Sequence, residues 1–253
     1  TRIMAIKTAN DNYPYGLNFI GILTGMDYAI QNNANIISMS LGGGGYSSTF
    51  QSVINEAHDS GIVVIAAAGN NNNTSLMYPA SYKNVISVAS SDVNDSRSSF
   101  STYNDSVDIT SPGSSIYSCL VDNGNTTGYG TKSGTSMACP MTAGVAALML
   151  SKNPYLSPDD IESCLKSSAD NISTLNPSTA WGLGAGRLNA FDALKCVKAV
   201  LAEFSADKTL TCSSDSIQFY DSSKGSITSW QWSFIGGSPS SSTLENPKVV
   251  YPS

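Results

Sequence analysis

The residues of this chain best suited to chemistry lie in Lys132-Ser133-Gly134-Thr135-Ser136-Met137-Ala138-Cys139-Pro140. There a small-residue turn carrying Ser136 opens directly into an apolar, alanine-rich stretch, Met141 to Leu150, that reads as a helix. A serine at such a junction has its hydroxyl beside a helix N-terminus. The unpaired N–H groups and positive dipole end favour negative charge there, which is what a nucleophile attacking a carbonyl needs. An ordinary helix N-cap uses the same residue types, so the stretch alone leaves both readings open.

Asn70 is the second candidate. It closes an apolar run in Ala67-Ala68-Gly69-Asn70, at a strand C-terminus, where open parallel sheets bind their ligands. Its side-chain amide, paired with the backbone N–H of Ser136, would form an oxyanion hole. The competing reading is a turn residue at the head of the asparagine run that continues to Asn73. Third comes Ser40-Leu41-Gly42, an extended segment able to pair with a peptide by strand addition, the glycine admitting a close approach. An ordinary strand end looks the same.

The general base is harder to place. His58 is the single histidine and sits mid-helix in Asn55-Glu56-Ala57-His58-Asp59, which reads as a solvent-facing helix position. An α/β-hydrolase reading of Gly134-x-Ser136 fails because that fold places its histidine after the serine. Gly42 to Gly45 has neither the spacing of a dinucleotide loop nor the Lys-Ser/Thr pair of a phosphate loop. Five cysteines without a C-x-x-C pair, and one histidine, argue against a zinc site.

The elements that must position these residues follow from the hydrophobic pattern. Ile3 to Ile6 reads as a short buried strand and Phe19 to Ile30 as a helix. Asn35 to Leu41 reads as a strand, Ser48 to Ser60 as a helix, and Ile62 to Ala68 as a strand apolar on both faces. This alternation predicts a parallel sheet with helices on both sides. Val85 to Ala89 and Val107 to Thr110 add strands. Ser157-Pro158-Asp159-Asp160 is a helix start, with Ser157 as cap and two acids in the first turn. One more helix is expected after Gly186-Arg187-Leu188-Asn189-Ala190, ending near Leu201. From Glu203 the texture changes to period-two alternation, in Ile217 and Phe219 and in Trp230, Trp232 and Phe234, the mark of a second, all-β module.

Composition narrows the partners. The chain has 253 residues, 41% hydrophobic and 13% charged, with a net charge of −6 from 13 basic and 19 acidic residues. That is globular, and it lacks the basic face that nucleic acid or an anionic membrane surface requires. No apolar run is long enough to span a bilayer. The Ser, Asn, Thr and Gly content and the scattered cysteines fit an exported protein in which disulfides persist. An odd cysteine count leaves at least one thiol unpaired within the chain, and Cys212 is the candidate. Thr1, with an apolar run directly after it, reads as an N-terminus inside a longer protein.

The motif Gly134-Thr135-Ser136-Met137-Ala138-Cys139-Pro140, with Ala143-Gly144 following, resembles the serine motif of the subtilisin-like serine peptidases, the subtilases. Other matching stretches come in family order. They are Ile3-Met4-Ala5-Ile6-Lys7, Ile37-Ser38-Met39-Ser40-Leu41-Gly42, Ala67-Ala68-Gly69-Asn70 and Tyr78-Pro79-Ala80, then Ser99-Phe100-Ser101, Thr110-Ser111-Pro112-Gly113 and Gly186-Arg187-Leu188-Asn189-Ala190. The resemblance implies an α/β fold with a subtilisin-like parallel sheet flanked by helices over residues 1–201. It implies Ser136 as nucleophile and Asn70 as oxyanion donor. Ser40, Leu41 and Gly42 would be the strand that pairs with a peptide or protein substrate, and Ala67, Ala68 and Gly69 a wall of the primary specificity pocket. The resemblance likewise implies the chain order Asp, His, Ser for a catalytic triad.

In the family the aspartate and histidine motifs precede the Ile-Met-x-Ile-Lys strand, so residues 1–253 are expected to lack both and to be inactive alone. Met141 stands where the family usually has a histidine, a position that is not the catalytic base. Family members commonly bind calcium, and the loop Ala80 to Val85 offers carbonyls, although no acidic cluster demands an ion and the chemistry needs no cofactor. Residues 202–253 resemble a truncated polycystic-kidney-disease-like (PKD) module, an immunoglobulin-like β-sandwich. The resemblance rests on Ile217-x-Phe219, Trp230-x-Trp232-x-Phe234, Gly236-Gly237-x-Pro239 and Asn246-Pro247-x-Val249-x-Tyr251. Such modules follow secreted bacterial peptidases and bind polysaccharide, protein or a cell surface. The sequence therefore suggests a secreted serine endopeptidase, with a non-catalytic subtilase-like binding or structural protein as the rival.

Overall fold

A computed structural model describes residues 2–10, 13–43, 45–122, 125–198, 202–209, 215–225 and 227–251. The chain forms two compact units, Thr1–Cys196 and Val197–Ser253.

The first unit opens with a two-stranded antiparallel ribbon, β1 (Ala9–Asn10) and β2 (Tyr13–Leu17). Helix α1 (Phe19–Gln31) starts where the Asn18 side chain accepts the Ile20 N–H at 3.0 Å, and it buries Ile22, Met26 and Ala29 at helical spacing. After β3 (Ile36–Met39), helix α2 (Ser48–Asp59) is capped by Ser47 and buries Phe50, Ile54 and Ala57. Three more strands follow, β4 (Val63–Ala67), β5 (Ile86–Ser91) and β6 (Ile109–Pro112). The order β3-β4-β5-β6 is parallel throughout, as the alternation predicts.

An antiparallel hairpin, β7 (Ile116–Asp122) and β8 (Asn125–Lys132), then carries the chain to helix α3 (Thr135–Lys152). Helix α3 packs across all four strands of the parallel sheet. Met39, Val64 and Ala66 share a buried cluster with Ile22, Met26, Phe50 and Ile54, so α1 and α2 cover one part of the sheet while α3 lies against it with Ala138, Cys139, Val145 and Met149 buried. Helix α4 (Pro158–Ser167) starts with a capping box in which Ser157 and Asp160 bond reciprocally. Helix α5 (Ala190–Cys196) ends the unit, and Cys164 and Cys196 form a disulfide between α4 and α5.

Two expectations change. Ile3 to Ile6 is not a strand. Among the described residues nothing pairs with it, and Ile3, Met4 and Ile6 are exposed, so an apolar run without a ladder partner stays irregular. Helix α5 stops at Cys196 rather than near Leu201, which lies outside the described residues. Cys212 lies outside them too, and Cys119 (exposed) and Cys139 (buried) are free thiols.

The second unit is antiparallel β structure. Strands β9 (Phe204–Ala206), β10 (Ser216–Asp221) and β13 (Lys248–Val250) form a sheet in the order β13-β10-β9. Strands β11 (Trp232–Ser233) and β12 (Ser241–Ser242) form a separate pair. Phe219 packs against Phe204, Trp232 and Phe234, and Phe234 and Val249 are buried.

Candidate active site

The site begins where β3 and β4 part. Their ladder ends at Met39 opposite Ala66, while β4 stays with β5 one step further, the Ala68 N–H donating to the Val88 carbonyl at 2.9 Å. Beyond that point Ser40-Leu41-Gly42 and Ala68-Gly69-Asn70 run out as two separate segments. The Gly43 N–H donates to the Tyr78 carbonyl at 2.9 Å and so anchors the first. The second turns at Gly69, whose φ of +110° belongs to glycine, and a Cβ there would lie 2.9 Å from Met77 Cγ and 3.1 Å from Thr102 Oγ1.

The first turn of α3 sits at the mouth of this split. It is held by a relay of main-chain bonds in which Gly113 N–H donates to Ser91 O at 3.0 Å and Gly134 N–H to Gly113 O at 2.8 Å. A side chain on Gly113 would collide with Ser90 Oγ and lie 2.7 Å from the Gly134 carbonyl, so glycine is required for this approach. The β7–β8 hairpin returns the chain from Ser115 to Ser133, whose hydroxyl accepts the Ser115 N–H at 2.8 Å.

Thr135 connects α3 to Asn70. Its N–H and its hydroxyl both donate to Asn70 Oδ1, at 2.8 and 3.0 Å, and the hydroxyl in turn accepts the Gly69 N–H at 3.2 Å. Because a backbone N–H can only donate, the Asn70 atom facing Thr135 must be the oxygen, which fixes the amide and points its NH2 the other way. A Cβ built on Gly134 would stand 3.6 Å from both Asn70 Nδ2 and Ser136 N and 3.8 Å from Asn70 Oδ1, so the Asn70 amide lies beside the turn that leads into Ser136.

Ser136 and Ser40 are joined in both directions. The Ser40 hydroxyl donates to the Ser136 carbonyl at 2.8 Å, and Ser136 Oγ lies 3.5 Å from the Ser40 carbonyl, a long contact at the limit of hydrogen bonding. Pro140 explains the first bond. It stands four residues after Ser136 inside α3 and has no N–H, so the Ser136 carbonyl lacks its helical donor and Ser40 supplies one.

Cys139, three residues after Ser136, is fully buried, its sulfur 3.4 Å from Ser38 Oγ and 3.6 Å from the Ile65 carbonyl. Burial pushes its thiol up from the ordinary cysteine range. It therefore stays neutral and is no rival nucleophile.

The structure thus brings together Ser136, Asn70 and Ser40, with Leu41 and Gly42 alongside. Ala67 and Ala68 are buried and face the core, Ala68 in a cluster with Ala89, Val107 and Leu183, so only Gly69 of that wall is partly open. His58 does not join them. Its side chain is 19% exposed rather than solvent-facing, and its Nε2 lies 3.2 Å from Asp159 on α4. Met77 escapes sequence reasoning, while Thr135 and Gly113 stand in the matching stretches without an assigned role.

Two surface concavities lie elsewhere, one lined by Asp159, Glu162 and Lys166, the other by Met141, Arg187 and Leu188; neither includes Ser136 or Asn70. Among the described residues no three His, Cys, Asp or Glu side chains gather as metal ligands. In the Ala80 to Val85 loop the Lys83 carbonyl is engaged by Gln51 Nε2 at 3.0 Å. No described helix is long and apolar enough to cross a membrane.

The chain is similar to known proteins. Thermitase of Thermoactinomyces vulgaris is 43% identical over 193 residues, which is 76% of this chain and 65% of thermitase. Subtilisin DY of Bacillus licheniformis is 40% identical over 67% of this chain and 61% of its own length. The chain thus spans slightly less than two thirds of either relative. A solved protease from Pseudoalteromonas arctica superposes with a TM-score of 0.65 at 34% identity, covering 73% of this chain and 60% of that one. The family model of the subtilases matches residues 2–184, and the chain belongs to the subtilase family.

Proposed function

We propose that this chain carries the nucleophile half of a serine endopeptidase site. One observation supports this reading above the others. Thr135 holds the Asn70 amide by its oxygen beside the turn that carries the Ser136 N–H, and an amide NH2 with a backbone N–H is the pair of donors that an oxyanion needs. In the reaction Ser136 Oγ attacks the scissile carbonyl of a peptide lying along Ser40-Leu41-Gly42. The carbonyl oxygen, becoming negative, accepts from Asn70 Nδ2 and Ser136 N, both already in place. The base that takes the Ser136 proton passes it to the leaving amine, and water, giving a proton to the same base, then hydrolyses the acyl ester on Ser136.

The proton of Ser136 needs a base, and the single histidine is bound to Asp159 on α4. We place the base and its carboxylate partner upstream of residue 1, so residues 1–253 alone hydrolyse no peptide. The Val197–Ser253 unit is proposed to be a PKD-like accessory module that holds the enzyme on polysaccharide, protein or a cell surface, outside a bacterial cell; its antiparallel strands and aromatic cluster support that reading. That no histidine lies beside Ser136 among the described residues also fits a second reading, a subtilase-like scaffold without turnover.

A fluorophosphonate probe separates the two. The full-length protein is expected to take up one probe adduct on Ser136 and none in Ser136→Ala. An unmodified Ser136 in the folded full-length protein would leave the scaffold reading.

A further inference from the structure

The Cys164–Cys196 disulfide stands at the border of the two units, since Cys196 closes the first and Val197 opens the second. Any pull on the Val197–Ser253 unit therefore enters the first unit at Cys196. What lies just before that point matters to Ser136. Residues 183–188 run beside β6, the last strand in the order β3-β4-β5-β6. Thr110 N–H donates to Gly186 O at 2.8 Å, Leu188 N–H to Thr110 O at 2.7 Å and Ala185 N–H to Asp108 O at 2.9 Å. The Thr110 hydroxyl donates to Leu183 O at 2.9 Å. Strand β6 leads into Gly113, whose carbonyl accepts from Gly134, two residues before Ser136. The segment that ends at Cys196 thus supports the strand that places the nucleophile turn.

This support is poorly built to resist a pull from its own end. Helix α5 has seven residues, and so short a helix is marginal by itself. It is held by Ala193, which is fully buried, and by Lys152 Nζ, which donates to Leu194 O at 2.7 Å. A chain pulled from one end loads its nearest bonds first, so α5 would give way before residues 183–188, and these before β6. The disulfide changes that path. Cys164 lies in α4 between Ile161 and Leu165, both fully buried, so tension arriving at Cys196 crosses to a helix anchored in the core. We infer that the disulfide is a load bypass, which passes tension on the second unit into α4 and leaves residues 165–195 and the β6 turn unloaded. The Ser136 turn then stays in place while the protein is held by its second unit. The inference rests on the proposed peptidase and anchoring readings for its purpose, while the path of the load depends on neither.

The test holds the full-length protein by its two ends in an optical trap, at a constant force too low to unfold the oxidised molecule. A dithiol reductant is then added, and Cys196 is exposed to it. The expected record is a gain in chain length of about 110 Å, the extended length of the bypassed residues for a sequence separation of 32, followed by a plateau. No step, or one step in which the whole first unit unfolds, overturns the inference. Because the molecule is folded before reduction, the result does not depend on a variant that folds without the bond. A fluorescent fluorophosphonate reads the site under the same force. Its uptake by Ser136 in the oxidised protein should slow by about tenfold or more after the step, and uptake that continues unslowed overturns the inference. If Ser136 takes up no probe even without force, the peptidase reading fails and the load path is decided by the step alone.

Discussion

The hydroxyl of Ser40 donates to the carbonyl of Ser136 across 96 residues of sequence, at 2.8 Å, filling the acceptor that Pro140 leaves empty inside α3. This bond ties the segment proposed to hold substrate to the turn that carries the proposed nucleophile. Ser40→Ala should lower the stability of the Thr1–Cys196 unit by about 0.5–1.5 kcal/mol. The loss should shrink in a Pro140→Ala background, where residue 140 regains its N–H and can pair with the Ser136 carbonyl. Urea denaturation of the four proteins in this double-mutant cycle measures the coupling. Equal losses in both backgrounds would show that the bond is not a substitute for the missing helical one.

Thr135 gives Asn70 two bonds, one from the main chain and one from its hydroxyl. Thr135→Val removes only the second, and it also leaves the Gly69 N–H without its partner. In the full-length enzyme this should lower kcat by about tenfold with KM changed less than about threefold, because Asn70 acts on the transition state rather than on bound substrate. Thr135→Ser retains the hydroxyl and should recover most of the rate.

The Cys164–Cys196 disulfide closes a loop with a sequence separation of 32 and joins α4 to α5. Replacing both cysteines by alanine should cost about 3–4 kcal/mol, chiefly by freeing the unfolded chain. Thermal denaturation of this variant beside the wild type, each without reductant, reads the effect.

Burial raises the Cys139 thiol above the ordinary value of 9.0. As pH rises past that ordinary value the unfolded chain loses its proton while the folded chain keeps it, so the unfolded state is favoured. Stability from this group is therefore complete below about pH 9 and declines above it. The stability difference between wild type and Cys139→Ala should shrink between about pH 8 and about pH 10.5, measured by urea denaturation with Cys119 replaced by serine in both. A constant difference would show that Cys139 is not desolvated.

Much of the sheet was legible. The run Ile62 to Ala68 is apolar at every position because β4 is covered on both faces, and the period of α1 and α2 marks the residues they bury. The start of α4 could be read from Ser157, Pro158 and two aspartates because capping is local chemistry. What escaped depends on distant pairs. The polar β7–β8 hairpin carries no clear apolar alternation, and it is built by mutual pairing of Ile116 to Asp122 with Asn125 to Lys132. His58 reads as solvent-facing until Asp159, 101 residues later, comes to lie beside it. Asn70 and Ser136 are individually ambiguous in sequence, since turns and caps use the same residues. Their meeting depends on Thr135, Gly113 and the parting of β3 from β4, none of which spacing reveals.

The central claim is that Ser136 and Asn70 act on the same carbonyl. The direct measurement is steady-state peptide hydrolysis by the full-length protein, by Ser136→Ala and by Asn70→Ala. Turnover is expected that Ser136→Ala abolishes and that Asn70→Ala lowers by about 100- to 1,000-fold in kcat with little change in KM. Hydrolysis that survives Ser136→Ala, or that is indifferent to Asn70→Ala, would contradict it.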